Sequence, residues 1–255
     1  MGKEPEILLV IRRAFLALLA CALLGACERA PEAPRVTAAA HDAIYVWPGV
    51  TPAPGTAAKT VYLLDGEVRS GPAPAALRRL RMGTPRLSGR TLWLVVRANR
   101  LDWTPATRPQ VMAGILADLE KWQAAGNTVA GLQIDFDAAT RGIGNYAAFL
   151  KDLRAALPRQ WQLSITGLMD WSAHGDPQAL AQLAGTVDEV VVQTYQNRTT
   201  IPGYEAYFAR MARFPIPFRV ALVEGGEWQA PAGLEAHPQF RGYVVFLLKG
   251  AQPPA

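Results

Sequence analysis

The sequence predicts a (β/α)8 barrel, and three observations predict it. Eight short runs rich in β-branched and aromatic residues follow one another from His41 onward, helical patterns separate the clearest of them, and 255 residues is the length of one such domain. Half of the residues are hydrophobic and 18% are charged, which allows a large core and excludes a disordered chain. The runs are Ile44 to Trp47, Thr60 to Leu64, Thr91 to Arg97, Val129 to Asp137, Gln162 to Asp170, Glu189 to Tyr195, Phe218 to Glu224 and Tyr243 to Leu248. After the third, Arg108 to Ala125 puts Val111, Ile115, Leu119 and Trp122 on one helical face. After the fourth, Tyr146 to Leu157 repeats that spacing with Phe149, Leu150 and Leu153. Shorter helices are expected at Pro74 to Arg81, Pro177 to Leu183 and Tyr204 to Arg213, the second opened by Asp176 as cap and Pro177 in the first turn. Only Lys249 to Ala255 follow the last run, so the eighth helix is missing or minimal. An incomplete barrel or a doubly wound open sheet is the competing architecture.

The N-terminal segment predicts export. Lys3, Arg12 and Arg13 precede an apolar stretch from Ala14 to Leu24, which has the length of a secretory signal and is short for a membrane span. It ends in Leu24-Gly25-Ala26-Cys27, which resembles the bacterial lipoprotein junction, where cleavage precedes a cysteine that is then lipidated. The alternative is an ordinary signal peptide with a chance cysteine. Residues 1–26 therefore read as signal peptide, 27–40 as an Ala- and Pro-rich tether after lipidated Cys27, and 41–255 as the barrel domain. The expected location is the bacterial cell envelope, lipid-anchored, with Glu28 resembling an outer-membrane sorting residue and the domain facing the periplasm. Cleavage there removes Cys21 and leaves no thiol for a disulfide, so the core alone holds the fold.

The net charge of +5 is spread among Asp and Glu, so no nucleic-acid partner is expected, and Arg78-Arg79-Leu80-Arg81 reads as a solvated helix face. His41, His174 and His237 are scattered, and no Walker loop or dinucleotide fingerprint occurs. No metal or other cofactor is implied, and a monomer is expected.

The fourth run carries the chemistry. In Gly131-Leu132-Gln133-Ile134-Asp135-Phe136-Asp137, alternation puts Leu132, Ile134 and Phe136 under the helices and turns Gln133, Asp135 and Asp137 inward, climbing towards the C-terminal mouth. Carboxylates two residues apart on a strand interact, so one can be held protonated as a general acid. The other reading is a pair of solvated carboxylates at a strand end. On the sixth run Val191, Gln193 and Tyr195 share a face, and on the fifth Ser164, Thr166 and Asp170 do.

These residues resemble the strand-four signature of the family 18 glycoside hydrolases, in which alternate aspartates lead to a catalytic glutamate. Asp135 falls on the last aspartate and Asp137 on the glutamate, while Gln133 and Ala130 replace the other two aspartates. A closer resemblance, from about His41 to the C-terminus, is to the exported bacterial family of unknown function numbered 3142. It rests on Gln133-Ile134-Asp135-Phe136-Asp137, Thr140-Arg141 and Gln193-Thr194-Tyr195. The first resemblance implies Asp137 as general acid/base, Asp135 as its electrostatic partner, and the N-acetyl group of the substrate as nucleophile. Tyr195 then matches a tyrosine that positions the acetamido group, with Gln193 and Gln133 beside the sugar. Tyr195 reads equally well as a core residue bonded to Asp135 or Asp137.

Tryptophans at strand ends suit the apolar faces of sugars, so Trp47 and Trp171, with Trp103 and Trp228, are candidate platforms as well as ordinary rim or core aromatics. Arg97 and Arg141 are candidates for an anionic substituent or for pairing with the barrel acids, and Asp170 places a further carboxylate near the mouth. The expected partner is a glycan or polysaccharide. Two rivals stand beside the Asp137 reading: a two-carboxylate glycosidase using Asp137 and Glu224, and a barrel that binds glycans without hydrolysing them.

Overall fold

The computed structural model describes residues 34–137 and 140–249. In chain order it contains β1 (Ala43–Val46), β2 (Thr60–Arg69), β3 (Ala76–Arg79), β4 (Thr91–Ala98), α1 (Arg108–Ala124), β5 (Thr128–Asp135) and α2 (Ile143–Ala156). There follow β6 (Gln162–Leu168), α3 (Met169–His174), α4 (Pro177–Ala184), β7 (Glu189–Gln193), the hairpin β8 (Tyr195–Gln196) and β9 (Thr199–Thr200), α5 (Tyr204–Arg210), β10 (Phe218–Val223) and β11 (Phe240–Phe246). Eight strands pair in parallel in the order β1-β2-β4-β5-β6-β7-β10-β11, and β11 pairs with β1 to close the ring. The predicted barrel is therefore present. Its closing seam is short, with only Ile44 opposite Val245 and Tyr45 opposite Phe246 in register.

Alternation along the strands builds two apolar layers. Leu132, Ile134, Leu163, Ile165, Val190 and Val192 face outward and are buried with Leu119, Trp122, Leu150 and Leu153 from the helices. Ala43, Tyr45, Tyr62, Trp93, Val95 and Val191 fill the ring itself, where Tyr62 stacks on Trp93 at 5.9 Å between centroids. The predicted helices at 108, 146, 177 and 204 form, and Asp176 caps its helix by accepting from the Ala179 N–H at 3.0 Å. Gly126, at φ +86°, takes the left-handed turn after α1 that starts the chain back into β5. Among the described residues, helices follow only β4, β5, β6 and β7; loops cover the rest of the ring. No helix among them is long and apolar enough to cross a membrane.

Pro74 to Arg81 is not a helix. β2 runs past its predicted end, and β3 pairs antiparallel with the extension from Gly66 opposite Arg79 to Arg69 opposite Ala76. The extension offers backbone partners that a short exposed helix lacks, and the basic cluster is consumed in docking this ribbon. Arg79 Nε donates to both oxygens of Asp118 on α1, at 2.7 and 2.9 Å. Arg81 donates to the carbonyls of Leu64 and Val46, at 2.9 and 2.8 Å. Packing also begins before His41: Val36 is buried, its N–H donates to the Gly226 carbonyl at 2.9 Å, and its carbonyl accepts from Gly225 at 2.8 Å. The last residues read as tether thus belong to the barrel. Cys27 and the signal segment lie outside the described residues.

Gly131 sits opposite Gln162 where the β5 and β6 backbones pass close together. A Cβ there would lie 2.0 Å from the Gln162 carbonyl oxygen, so an alanine must force the two backbones apart. Gly131→Ala is expected to cost about 3 kcal/mol, the upper part of the usual range for overpacking, read as a lower denaturant midpoint at unchanged slope.

Candidate functional site

Seven of the eight barrel strands line a cavity of about 260 Å3 at the C-terminal mouth of the barrel. β4 and β5 bring Arg97 and Asp135 into register, so the two side chains meet on the inner face. Arg97 Nε donates to Asp135 Oδ2 at 3.0 Å, and the Thr166 hydroxyl from β6 donates to Oδ1 at 3.1 Å. The Phe136 N–H donates in turn to that hydroxyl at 3.1 Å, which fixes Thr166 against the strand end. Both oxygens of Asp135 are therefore committed, one of them to a cation.

Asp137 differs. It stands at the exposed rim, lines the same cavity and has no hydrogen bond or ion pair among the described residues. Partial loss of water and the neighbouring Asp135 charge raise its pKa, with Arg97 opposing. One carboxylate is thus tied to a cation and a hydroxyl while its neighbour, with its pKa raised, can hold and release a proton, the division that acid–base chemistry requires.

The wall opposite is aromatic. Tyr45, Trp47, Tyr195 and Phe246 line it, Tyr195 stacked on Phe246 at 5.4 Å and Trp47 edge-on to Phe246 at 5.2 Å. The Arg97 guanidinium lies 4.0 Å above the Trp47 ring centroid. The Tyr195 hydroxyl makes no hydrogen bond among the described residues. Burial and the Asp135 charge hold its pKa far above the ordinary phenol range, so it stays a donor at any working pH. Gln193 Nε2 donates to the Tyr195 carbonyl at 2.8 Å and steadies the start of the β8–β9 hairpin. At that hairpin's tip Asn197 adopts φ 54° and reaches the cavity, a backbone conformation that asparagine tolerates well.

Below the cavity a polar chain crosses the barrel. Tyr45 donates to Gln133 Oε1 at 2.8 Å, Gln133 Nε2 donates to Ser164 at 2.9 Å, and Ser164 donates to Glu189 Oε1 at 3.2 Å. Tyr62 donates to the same oxygen at 2.6 Å, and Arg219 Nε donates to Glu189 Oε2 at 3.0 Å. Each buried polar group has a partner, which is what keeps such a chain tolerable in a barrel core.

The structure brings together six of the residues singled out in the sequence: Asp135, Asp137, Gln193, Tyr195, Trp47 and Arg97. Gln133 points inward as expected but is fully buried beneath the cavity. Trp171 is fully buried on the outer side of the sheet, and Trp103 and Trp228 are also buried there, so none is a platform. Asp170 lies outside because the chain turns into α3 at Met169, which puts this residue in an exposed first turn near His174. Arg141 is exposed and outside the lining. Glu224 is also outside, its Oε2 accepting from the Leu248 N–H at 3.2 Å. Tyr45, Thr166, Asn197 and Phe246 were not singled out; strand alternation already placed Thr166 on the inner face. No cluster of three or more potential metal ligands occurs among the described residues.

Fold and site together define a closed (β/α)8 barrel with an acidic, aromatic mouth. Residues 88–206 match the model of a domain of unknown function, DUF3142, which bears out the resemblance read from Gln133 to Asp137 and Gln193 to Tyr195. No curated protein matches the chain. Similar solved structures include a putative chitinase A from Streptomyces coelicolor, at 12% identity over 80% of this chain and 91% of that one, with a TM-score of 0.51. A xylanase-α-amylase inhibitor protein has 13% identity over 80% and 92%, also at 0.51. The spore cortex-lytic enzyme SleL of Bacillus cereus has 16% identity over 71% of this chain at a TM-score of 0.50, and the chain spans 49% of its length. These similarities establish the fold.

Proposed function

We propose that the mouth cavity binds a glycan carrying N-acetyl groups and hydrolyses it, with Asp137 as general acid and then general base. The observation that carries this reading is the unequal setting of two neighbouring carboxylates inside an aromatic-walled cavity: Asp135 is pinned by Arg97 and Thr166, and Asp137 has no partner among the described residues and a raised pKa. At about 260 Å3 the cavity is just below the usual ligand-site range of roughly 300–1,000 Å3, which suits one sugar ring with the rest of the chain lying over the rim. In the proposed step Asp137 gives its proton to the glycosidic oxygen while the acetamido oxygen of the substrate attacks the anomeric carbon, the bond from that carbon to the glycosidic oxygen breaks, and the leaving sugar departs as a free hydroxyl. Asp135 stabilises the positive charge that develops, and the Tyr195 hydroxyl orients the acetamido group. Water then opens the cyclic intermediate and returns a proton to Asp137.

The test is incubation of the purified protein with peptidoglycan fragments and N-acetylated exopolysaccharides. Release of reducing ends that Asp137→Asn abolishes supports the reading, and release that the variant leaves intact sinks it. A second reading, binding without turnover, is favoured by the length of Asp137, one methylene shorter than the glutamate whose position it takes. Glycan retained without any reducing ends would select it.

We further propose that the barrel is held in the bacterial envelope by lipid on Cys27. Cys27→Ser is expected to move the protein from the membrane fraction to soluble material, because several acyl chains anchor stably where none is left. Unchanged partitioning removes the anchor.

A further inference from the structure

The geometry points to a carboxylate-bearing sugar as the ligand of this cavity, received by Arg97; the inference rests on the cavity being a glycan site. Arg97 is fixed at two points, by its Nε bond to Asp135 at 3.0 Å and by its seat 4.0 Å above the Trp47 ring. These contacts set the plane and direction of the guanidinium but use only one of its five N–H donors. Its terminal nitrogens make no hydrogen bond among the described residues, and the side chain is 48% exposed at the cavity wall. A planar cation held flat, with its fork open to a cavity, is built to take a planar anion through two parallel hydrogen bonds.

The charges around it fit. Asp135 neutralises Arg97 only from the Nε side, so the terminal nitrogens still present positive charge to the cavity. Asp137 is the other carboxylate of the lining, and when it carries a proton the lining is neutral overall and receives an anion without net repulsion. A ligand carboxylate on Arg97 also offsets the pull of that arginine on the Asp137 proton, so the substrate helps its own general acid stay loaded. The class is a hexose with a carboxyl group on or beside the ring, either a uronic acid or an amino sugar bearing a lactyl ether.

The test compares matched pairs on the full chain: an N-acetylmuramic acid disaccharide and its methyl ester, and a glucuronic acid oligosaccharide and its methyl ester, by calorimetric titration. The free acid is expected to bind on the order of tenfold tighter than its ester, the worth of charged hydrogen bonds at a half-exposed site. In Arg97→Gln the acid-to-ester ratio should fall to about one. That ratio is the readout, since losing Arg97 also disturbs Asp135 and alters absolute affinity. Equal binding of acid and ester overturns the inference while leaving the glycan site intact, as does a ratio that survives Arg97→Gln. A sulfated sugar that binds as tightly as the carboxylated one overturns the planar fork. Failure of every sugar, with the protein folded by circular dichroism, overturns the glycan site itself.

Discussion

Asp137→Asn is expected to lower glycan hydrolysis by about 10²–10⁴-fold, the usual contribution of a positioned acid or base, while the protein stays folded. The amide keeps the shape of the side chain and has no acid proton to give. The exposed rim position means that no packing is lost. The pH profile supplies the sharper version. A general acid works only while protonated, so activity falls as pH rises through the pKa of Asp137, which the structure raises. Asp135→Asn removes one of the causes of that rise and leaves Arg97, which acts in the opposite sense, uncompensated. The basic limb of the profile should therefore move to lower pH, in addition to a loss of rate. The double variant should be little worse than the single Asp137 variant, as for groups acting as a unit. A basic limb that stays in place in Asp135→Asn would remove the coupling between the two acids.

The second large effect is on stability. Glu189→Ala is expected to cost about 3–5 kcal/mol, because it removes one member of a buried ion pair and leaves the Arg219 cation in the barrel without its partner. It also strips the acceptor from Tyr62 and Ser164, whose hydroxyls then lie inside the ring unsatisfied. Urea unfolding followed by tryptophan fluorescence reads the change. Replacing Glu189 by Gln should cost less, since the amide oxygen still accepts from Tyr62. A loss below about 1 kcal/mol for the alanine variant would mean that water enters the ring and solvates Arg219.

The barrel was legible because its strands are apolar on both faces and stand out as β-branched runs, and because the helices at 108 and 146 carry a clear apolar stripe. The errors lie where partners distant in sequence decide. Pro74 to Arg81 has no local signal that β2 overruns its β-branched stretch, so the ribbon it forms with Gly66 to Arg69 was invisible. Extending the alternation of β6 two residues beyond Leu168 puts Asp170 at the mouth, but the chain turns into α3 there. Alternation did locate Gln133, Asp135 and Asp137 on the inner face. It could not tell that the first is sealed below the cavity and the last exposed above it, since depth along the barrel axis depends on the stagger of neighbouring strands. Tyr45 and Phe246 carry no local signal, because an aromatic residue in a strand looks the same in a core as on a cavity wall. Tryptophans failed as a group for a related reason: indoles pack under helices as readily as they face a mouth, and only Trp47 does the latter.

The closing seam has a consequence for how the mouth adapts. β1 and β11 hold each other through two registered residue pairs, whereas β2 and β4 share eight. Tyr45, Trp47 and Phe246 all stand on the two strands of this seam or at their ends. Local opening is easiest where backbone bonds are fewest. Deuterium should therefore enter the amides of Tyr45 and Leu247 sooner than those of Leu63 or Val95, and a bound ligand should slow that entry at the seam more than elsewhere. The pocket would then behave as a clasp whose two jaws part without unfolding the ring, so that rings of differing bulk could be admitted by one rigid set of acids on the far side.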